Sequence, residues 1–441
     1  MMVQKNRSEK GQALILIVFG IVGLLGFAAL AIDGGRIYTD RRNMQNSSDT
    51  ASLTAAASIA NYMSANGVYY SNWTCDDTQP WYISAKAQAF SDAIDRAAIN
   101  GGYIIDTDAT DDNGVMAECG VDGFEKFIDV TTYITHDTPS SFAQFVFGGP
   151  LRQTVISTAR VYPQTSGGFG HAIVALNEAD CTGNQSGVTI NGTIDIEVNG
   201  GGVFSNGCLR ASGAHLEVNV DDGGNTYIAE YDTNGGPTVN PAPVQATEPM
   251  SGDTFAIDPP NCNHSSMQAR TYSNGQTVME PGRYASNISI TSSGSNVTMN
   301  PGLYCFYGVF KMTGGVLNAS SGVTIYMDDD DLEIGGNVLV TMHAPLGTAT
   351  AVAPAIPNLV VYLPPGHTGN VSMLGTTGSS YAGTVYAPDA YVKVGGNAGI
   401  NPTYSTQIIG WDVSISGTSD VYINFSEEFA YQFPPRLDLN R

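Results

Sequence analysis

The chain has 441 residues, of which only 13 % are charged, with 51 glycines and a formal net charge of −23. A body this acidic repels phosphate backbones and anionic headgroups, which excludes nucleic acid as a partner and disfavours adsorption of the body to anionic lipid. The length allows two domains with a sizeable core, and abundant Gly, Ser, Thr and Asn favour strands and turns over helices.

No charge occurs from Ala13 to Ile32. A helix over those residues rises about 1.5 Å per residue and spans roughly 30 Å, the thickness of a bilayer's hydrocarbon layer. A secretory apolar core is usually only about 7–15 residues long. Ala29-Leu30-Ala31 has the form of a signal-peptidase site, whose use would start the mature chain at Ile32. Length favours retention as a single-pass anchor. Lys5, Arg7 and Lys10 precede the run and Arg36, Arg41 and Arg42 follow it, so local charge sets no orientation. Of 18 basic and 41 acidic residues, 12 and 38 lie beyond Arg42, as do all six cysteines. Paired cysteines persist in oxidising compartments. The expected topology is a cytoplasmic N-terminus with a periplasmic or extracellular body at the cell surface.

Helical character continues from Arg36 to Ala60, with Ile37, Met44, Ala51, Leu53, Ala56 and Ile59 forming an apolar stripe and Gly34-Gly35 loosening the junction. A second helix is predicted over Ser84 to Asn100, stopped by Gly101-Gly102. Phe127 to Thr135 alternates as a half-buried strand does. A short helix is predicted between Pro139 and Gly148, and a strand over Thr154 to Pro163.

The opening GQALILIVFGIVGLLGFAALAIDGGRIYTDRRNMQNSSDTASLTAAA closely resembles the N-terminus of TadG-like Flp pilus-assembly proteins. The later IDVTTYITHDTPSSFAQFVFGG and TVISTARVYP resemble the strand–helix–strand ending of TadE/TadG-type domains. The resemblance implies a pilin-like α+β domain, with the membrane, pilus-assembly proteins and pilin-like subunits as partners. If prepilin-type cleavage followed Gly11, the fifth mature residue would be Leu16, where a filament-forming pilin carries Glu. That departure points to an anchored assembly factor or minor component. No Asp-x-Ser-x-Ser metal loop occurs; Asp137-Thr-Pro-Ser-Ser comes nearest, with Pro139 in the first Ser position.

From Gln164 onward short turn-plus-strand pieces recur, as in SGVTI at Ser186, SGSNVTM at Ser293 and SGVTIYM at Ser321. Pro281-Gly-Arg-Tyr and Pro301-Gly-Leu-Tyr lie 20 residues apart, about one coil of a narrow solenoid. The expected fold is a right-handed parallel β-helix or related solenoid; a β-sandwich is the alternative. NGGPTVNPAPVQATEPM and GTATAVAPAIP read as projecting loops. The C-terminal YAGTVYAPDAYVKVGGNAGINPTYSTQIIGWDVSISGTSDVYINF resembles polymer-forming, bactofilin-like β-helix segments. The expected domains are residues 1–32 (cytoplasmic N-terminus and span), 33–163 (pilin-like) and 164–441 (β-helix).

Six cysteines allow 15 pairings. Sequence proximity favours Cys75–Cys119, Cys181–Cys208 and Cys262–Cys305, and no C-x-x-C or nearby Cys–His pair suggests zinc. No organic cofactor is expected, and calcium is the candidate ion. Asp106, Asp108, Asp111, Asp112 and Asn113 share one loop, and Asp328 to Asp331, with Asp328 and Asp330 as candidate ligands, precede a strand. Both also read as solvated acidic loops. Parallel β-helices host polysaccharide-degrading enzymes, but beyond Gln164 the basic residues (Arg210, Arg270, Arg283, Lys311, Lys393, Arg436, Arg441) and the histidines are scattered. No G-x-S-x-G, H-E-x-x-H or Walker loop occurs. The expected function is therefore non-catalytic: an anchored structural or adhesive component of a Tad/Flp-type pilus system, facing a surface glycan or host cell. The alternatives are an anchored β-helix polysaccharide-degrading enzyme and a cell-envelope or S-layer adhesin unrelated to pili.

Overall fold

The structure is a computed structural model that describes residues 10–107, 112–142, 149–183, 186–251, 256–347, 352–396 and 403–440. The chain forms two compact units: Met1–Val68, Trp73–Gln164 and Pro435–Arg441 make unit 1, and Tyr69–Asn72 with Thr165–Pro434 make unit 2.

Unit 1 is built on one helix, α1 (Lys10–Ala65), which runs without a break through Gly34-Gly35. A helical Gly costs about 1 kcal/mol relative to Ala, too little to interrupt a helix whose following turns are packed. Met44, Ser47, Ser48, Ala51, Ser52, Ala55, Ala56, Ile59 and Met63 are buried, three or four residues apart, whereas Ile37 and Leu53 are half-buried. The second helix, α2 (Pro80–Gly101), places Ala85, Ala89, Ala93 and Ala97 on its buried face. Pro80 at its first position explains why it begins earlier than the alanine pattern does. Gly102 ends it in the left-handed region (φ 67°), its N–H turned back to the Ala97 and Ala98 carbonyls.

Strands β1 (Gly114–Asp122), β2 (Glu125–Thr138) and β3 (Leu151–Tyr162) follow, and the C-terminal strand Arg436–Asn440 pairs with β3; all are antiparallel. Asp122 faces Glu125 across the two-residue turn Gly123-Phe124, whose first position takes a positive φ (57°) that glycine adopts readily. The expected strands at 127–135 and 154–163 correspond to β2 and β3. The short helix expected at 139–148 falls largely on 143–148, outside the described residues. Buried hydroxyls join α1 to the sheet: Ser48 Oγ lies 2.8 Å from Thr132 Oγ1, and Ser52 Oγ 3.1 Å from Ser157 Oγ. These four hydroxyls thereby find partners, which helps set the helix's register on the sheet.

Unit 2 is a parallel β-solenoid, and every strand pairing described in it is parallel apart from an isolated antiparallel bridge between Thr165 and Phe433. A β-sandwich would need antiparallel neighbours. Val188 faces Leu209, and Leu209 faces Tyr231, so a coil without an insertion takes 21 or 22 residues, whereas the coil from Leu332 to Val371 takes 39. The Pro-Gly pairs lie off this register, because Gly282 faces Tyr304 rather than Gly302. Pairings fall into three ladders, as in the strands His171–Ala175, Val188–Gly192 and Asp195–Asn199 of one coil, each matched to a strand of the next coil. Inward positions form a continuous apolar core in which Tyr381 stacks on Tyr404 (5.1 Å), while on the outward side of the ladder Tyr326 stacks on Tyr362 (5.9 Å) and Tyr362 on Tyr386 (5.4 Å).

One corner of the stack is a glycine column. Gly375 faces Gly396, Gly417 lies against Gly396 and pairs with Gly192, and Gly213 and Gly235 continue the line. A Cβ on Gly213 would stand 1.7 Å from the Gly192 carbonyl oxygen, so backbone packs directly on backbone there.

The coils are not stacked in chain order. The strand Ile408–Gly417 pairs with both His171–Ala175 and Val188–Gly192, and Val421–Asn424 pairs with Asp195–Asn199. The chain therefore enters mid-stack, winds outward to Thr238–Asn240 and Val244–Gln245, crosses over residues 246–268, and winds back from Ala269. Those two strands lie inside the stretch expected as a projecting loop. Three contacts hold the crossover down. Met250 exchanges backbone–amide hydrogen bonds with the Asn206 side chain (2.7 and 2.8 Å), the Tyr362 hydroxyl donates to the Ile257 carbonyl (3.1 Å), and Cys262 bonds to Cys305.

All three expected disulfides are present, with Cα separations of 5.6, 4.9 and 6.0 Å for 75–119, 181–208 and 262–305. Alkylation without reductant should label no cysteine, and labelling of two or more would contradict the pairing. Replacing Cys262 and Cys305 by Ser should lower unit 2's unfolding free energy by about 2–5 kcal/mol in denaturant titration.

Where the chain enters the solenoid, the half-buried His171 ring stands edge-on to Phe204, its Nδ1 2.9 Å from the Gly168 carbonyl oxygen. Burial holds its pKa below the ordinary 6.5. Below that pH the unfolded chain takes up a proton that the folded chain refuses, so stability falls as the solution acidifies towards the lowered value. Denaturant midpoints at pH about 7.5 and about 5.5 should show this loss, and His171→Gln should reduce it.

Candidate functional site

The feature that sets this molecule apart is the first part of α1. From Leu14 to Ile32 the large apolar side chains are exposed, with Leu16 at 72 %, Phe27 at 74 % and Leu30 at 71 %. The helix is long and apolar enough to cross a membrane, and none of its most apolar window is buried against protein.

The run ends at Asp33, whose side chain is buried. Its carboxylate accepts the backbone N–H groups of Ser141 (2.8 Å) and Phe142 (2.9 Å). Beyond it Gln153 Nε2 donates to the Ile37 carbonyl (3.4 Å) and to Thr138 Oγ1 (3.0 Å). Further along α1, Tyr38, Arg41, Arg42, Gln45, Asn46 and Asp49 line an open groove of about 440 Å³ with Ile156 of β3. Sequence reasoning did not single out Asp33 as a contact, although its place directly after the apolar run was visible.

The acidic candidates disperse. Asp108 and Asp111 lie outside the described residues, while Asp106 and Asp112 flank them. Asp328 accepts the Tyr326 hydroxyl (3.0 Å), Asp329 lies 3.6 Å from His367 Nδ1, and Asp331 accepts from Asn370. Among the described residues no group of three or more His, Cys, Asp or Glu side chains is placed to hold a metal ion.

In unit 2 the crossover roofs a cavity of about 320 Å³, lined among others by Glu178, Asn206, Met250, Tyr386, Asp389 and Trp411. Its acidic groups have no basic residue beside them in the lining, and Asp389 accepts the Gly366 N–H (2.6 Å). Two of the solenoid's basic residues serve structural contacts elsewhere. Arg210 pairs with Asp232 (3.0 Å) and donates to the Cys181 and Gly183 carbonyls, and Lys311 pairs with Glu333.

Comparison with known proteins gives one match: residues 11–58 fit the Tad family model, described as "Putative Flp pilus-assembly TadE/G-like". No curated protein and no solved structure matches the chain. The chain thus couples a TadE/G-like N-terminal region to a parallel β-solenoid. Protein extracted from membranes should retain residues 14–32, as checked by intact mass and N-terminal sequencing. A start at Ile32 would remove the span, and a start at Gln12 would mark prepilin-type processing.

Proposed function

We propose that this chain is a membrane-anchored, non-catalytic structural component of a Tad/Flp-type pilus-assembly system, with its solenoid serving outside the cytoplasm as an adhesive or interaction surface. The observation that carries the reading is the coincidence of the family match with α1. Residues 11–58 fit a TadE/G-like model, and the same helix exposes an apolar first part while packing its second part against α2 and the sheet. A body with 12 basic against 38 acidic residues and three disulfides supports an oxidising compartment. The dispersal of basic residues into structural contacts supports a non-catalytic role. Long ladders of repeated positions suit weak multivalent contact with a glycan or cell surface.

Co-purification of the tagged full chain with other pilus-assembly components tests this. Association should be lost on Leu24→Arg, which burdens the span with a charge, and kept on Trp411→Ala in the crossover cavity. Turnover of acidic or neutral polysaccharides should be absent with and without calcium. Turnover abolished by Glu178→Gln or Asp389→Asn would replace the structural reading with an enzyme.

A further inference from the structure

We propose that unit 1 rests on the bilayer through a lipid-interface foot made by Arg36, Phe142 and Arg152. The proposal builds on the reading of residues 14–32 as a span. Asp33 is the first residue past that run and is only 4 % exposed. A carboxylate at this depth is costly unless its oxygens are hydrogen-bonded. The Ser141 and Phe142 amides meet that need, and in doing so they fix the connection after β2 beside the first turn past the span. The Phe142 ring is left 44 % exposed there. Gln153 holds the start of β3 to the Ile37 carbonyl, which brings its neighbour Arg152, exposed, to the same end of the unit. Arg36 is exposed about one helical turn beyond Asp33.

An aromatic ring with arginines next to a span is the composition of a membrane interface. The ring sits among headgroups, and guanidinium groups on flexible stems reach phosphates. Asp137 stands directly across from Arg152 in the ladder, and among the described residues no ion pair joins them, so the guanidinium is free to turn towards a phosphate. The occupant is lipid because the surface continues the apolar run itself. In a chain of net charge −23 the foot is also where attraction to an anionic headgroup can be local while the body is repelled.

The test uses the full chain in vesicles of phosphatidylcholine, with or without phosphatidylglycerol, carrying bromines at set depths on the acyl chains. The emission that Phe142→Trp adds to the parent's three tryptophans should be quenched at least about twofold more by shallow bromines than by central ones. Leu24→Trp, in the span, should show the reverse preference. Arg36→Glu combined with Arg152→Glu should weaken quenching at position 142 more when phosphatidylglycerol is present. If Leu24→Trp is quenched and Phe142→Trp is not, the span stands and the foot is wrong. If neither is quenched, the membrane reading fails with it. Equal effects of charge reversal in both lipids would overturn the headgroup contact, as would protection of position 142 by a protein partner alone.

Discussion

Unit 2 begins and ends at one place, and its winding follows from that constraint. Tyr162 and Arg436 are paired in the sheet of unit 1, and Thr165 and Phe433 are bridged within unit 2. The whole solenoid is therefore an insertion between neighbouring strands of one sheet, and an insertion needs its entry and exit close together. A solenoid wound in simple chain order has its ends at opposite ends of the stack. Here the last coil stacks on the first, so the ends meet mid-stack, and the chain must cross the coils once to do so. Among its described residues that crossover has no strand ladder, and side-chain hydrogen bonds and a disulfide hold it. The glycine column passes through the junction from Gly417 to Gly192 without changing character, so the joint is packed as closely as any other.

Helix α1 divides into two lengths of different chemistry. Beyond Asp33 its buried face is mostly Ala and Ser, with Met44, Ile59 and Met63 as the large apolar side chains. Small side chains bury little area each, but they let α2 approach closely and let buried hydroxyls reach the sheet. Before Asp33 the same helix carries the bulk it lacks later, and no part of unit 1 covers it. The division falls at one buried carboxylate, whose partners come from a distant loop of the same unit.

The sequence was informative wherever periodicity was strong. The uncharged run, the alanine helix, the alternating strands β2 and β3, and the turn-plus-strand pieces of the solenoid all show a local pattern that packing enforces. Proximity also sufficed for the disulfides, because each joins segments that are near in the chain as well as in space. Other features were missed. β1 was announced by the turn glycine Gly123 but lies next to an acidic loop that drew a metal reading. The coil length was hidden because the Pro-Gly pairs are two residues off register, whereas the glycines at 375, 396 and 417 keep an even spacing of 21. The return of Arg436–Asn440 to the first sheet and the mid-stack entry are pairings across hundreds of residues, and nothing local encodes them. The site at Asp33 is of the same kind, since its hydrogen bonds span 108 and 109 positions.

The inward rows of the solenoid are committed to packing, which leaves recognition to the outward rows and corners. One such row runs Tyr422, Glu197, Asn219 and Asn240 through successive coils, with Asn240 hydrogen-bonded to Asn219 and Asn199 likewise to Asn424 in the adjoining row. Adjacent coils place equivalent side chains about 4.8 Å apart. A partner that met such a surface would meet an exposed polar side chain at each coil, each contact weak because it is exposed to water. Strength then comes from number and from rigidity, because a stacked coil loses little further freedom when a partner binds. The crossover and its disulfide add to that rigidity by tying the two arms of the stack together, so the packing that closes the insertion also stiffens the surface it presents.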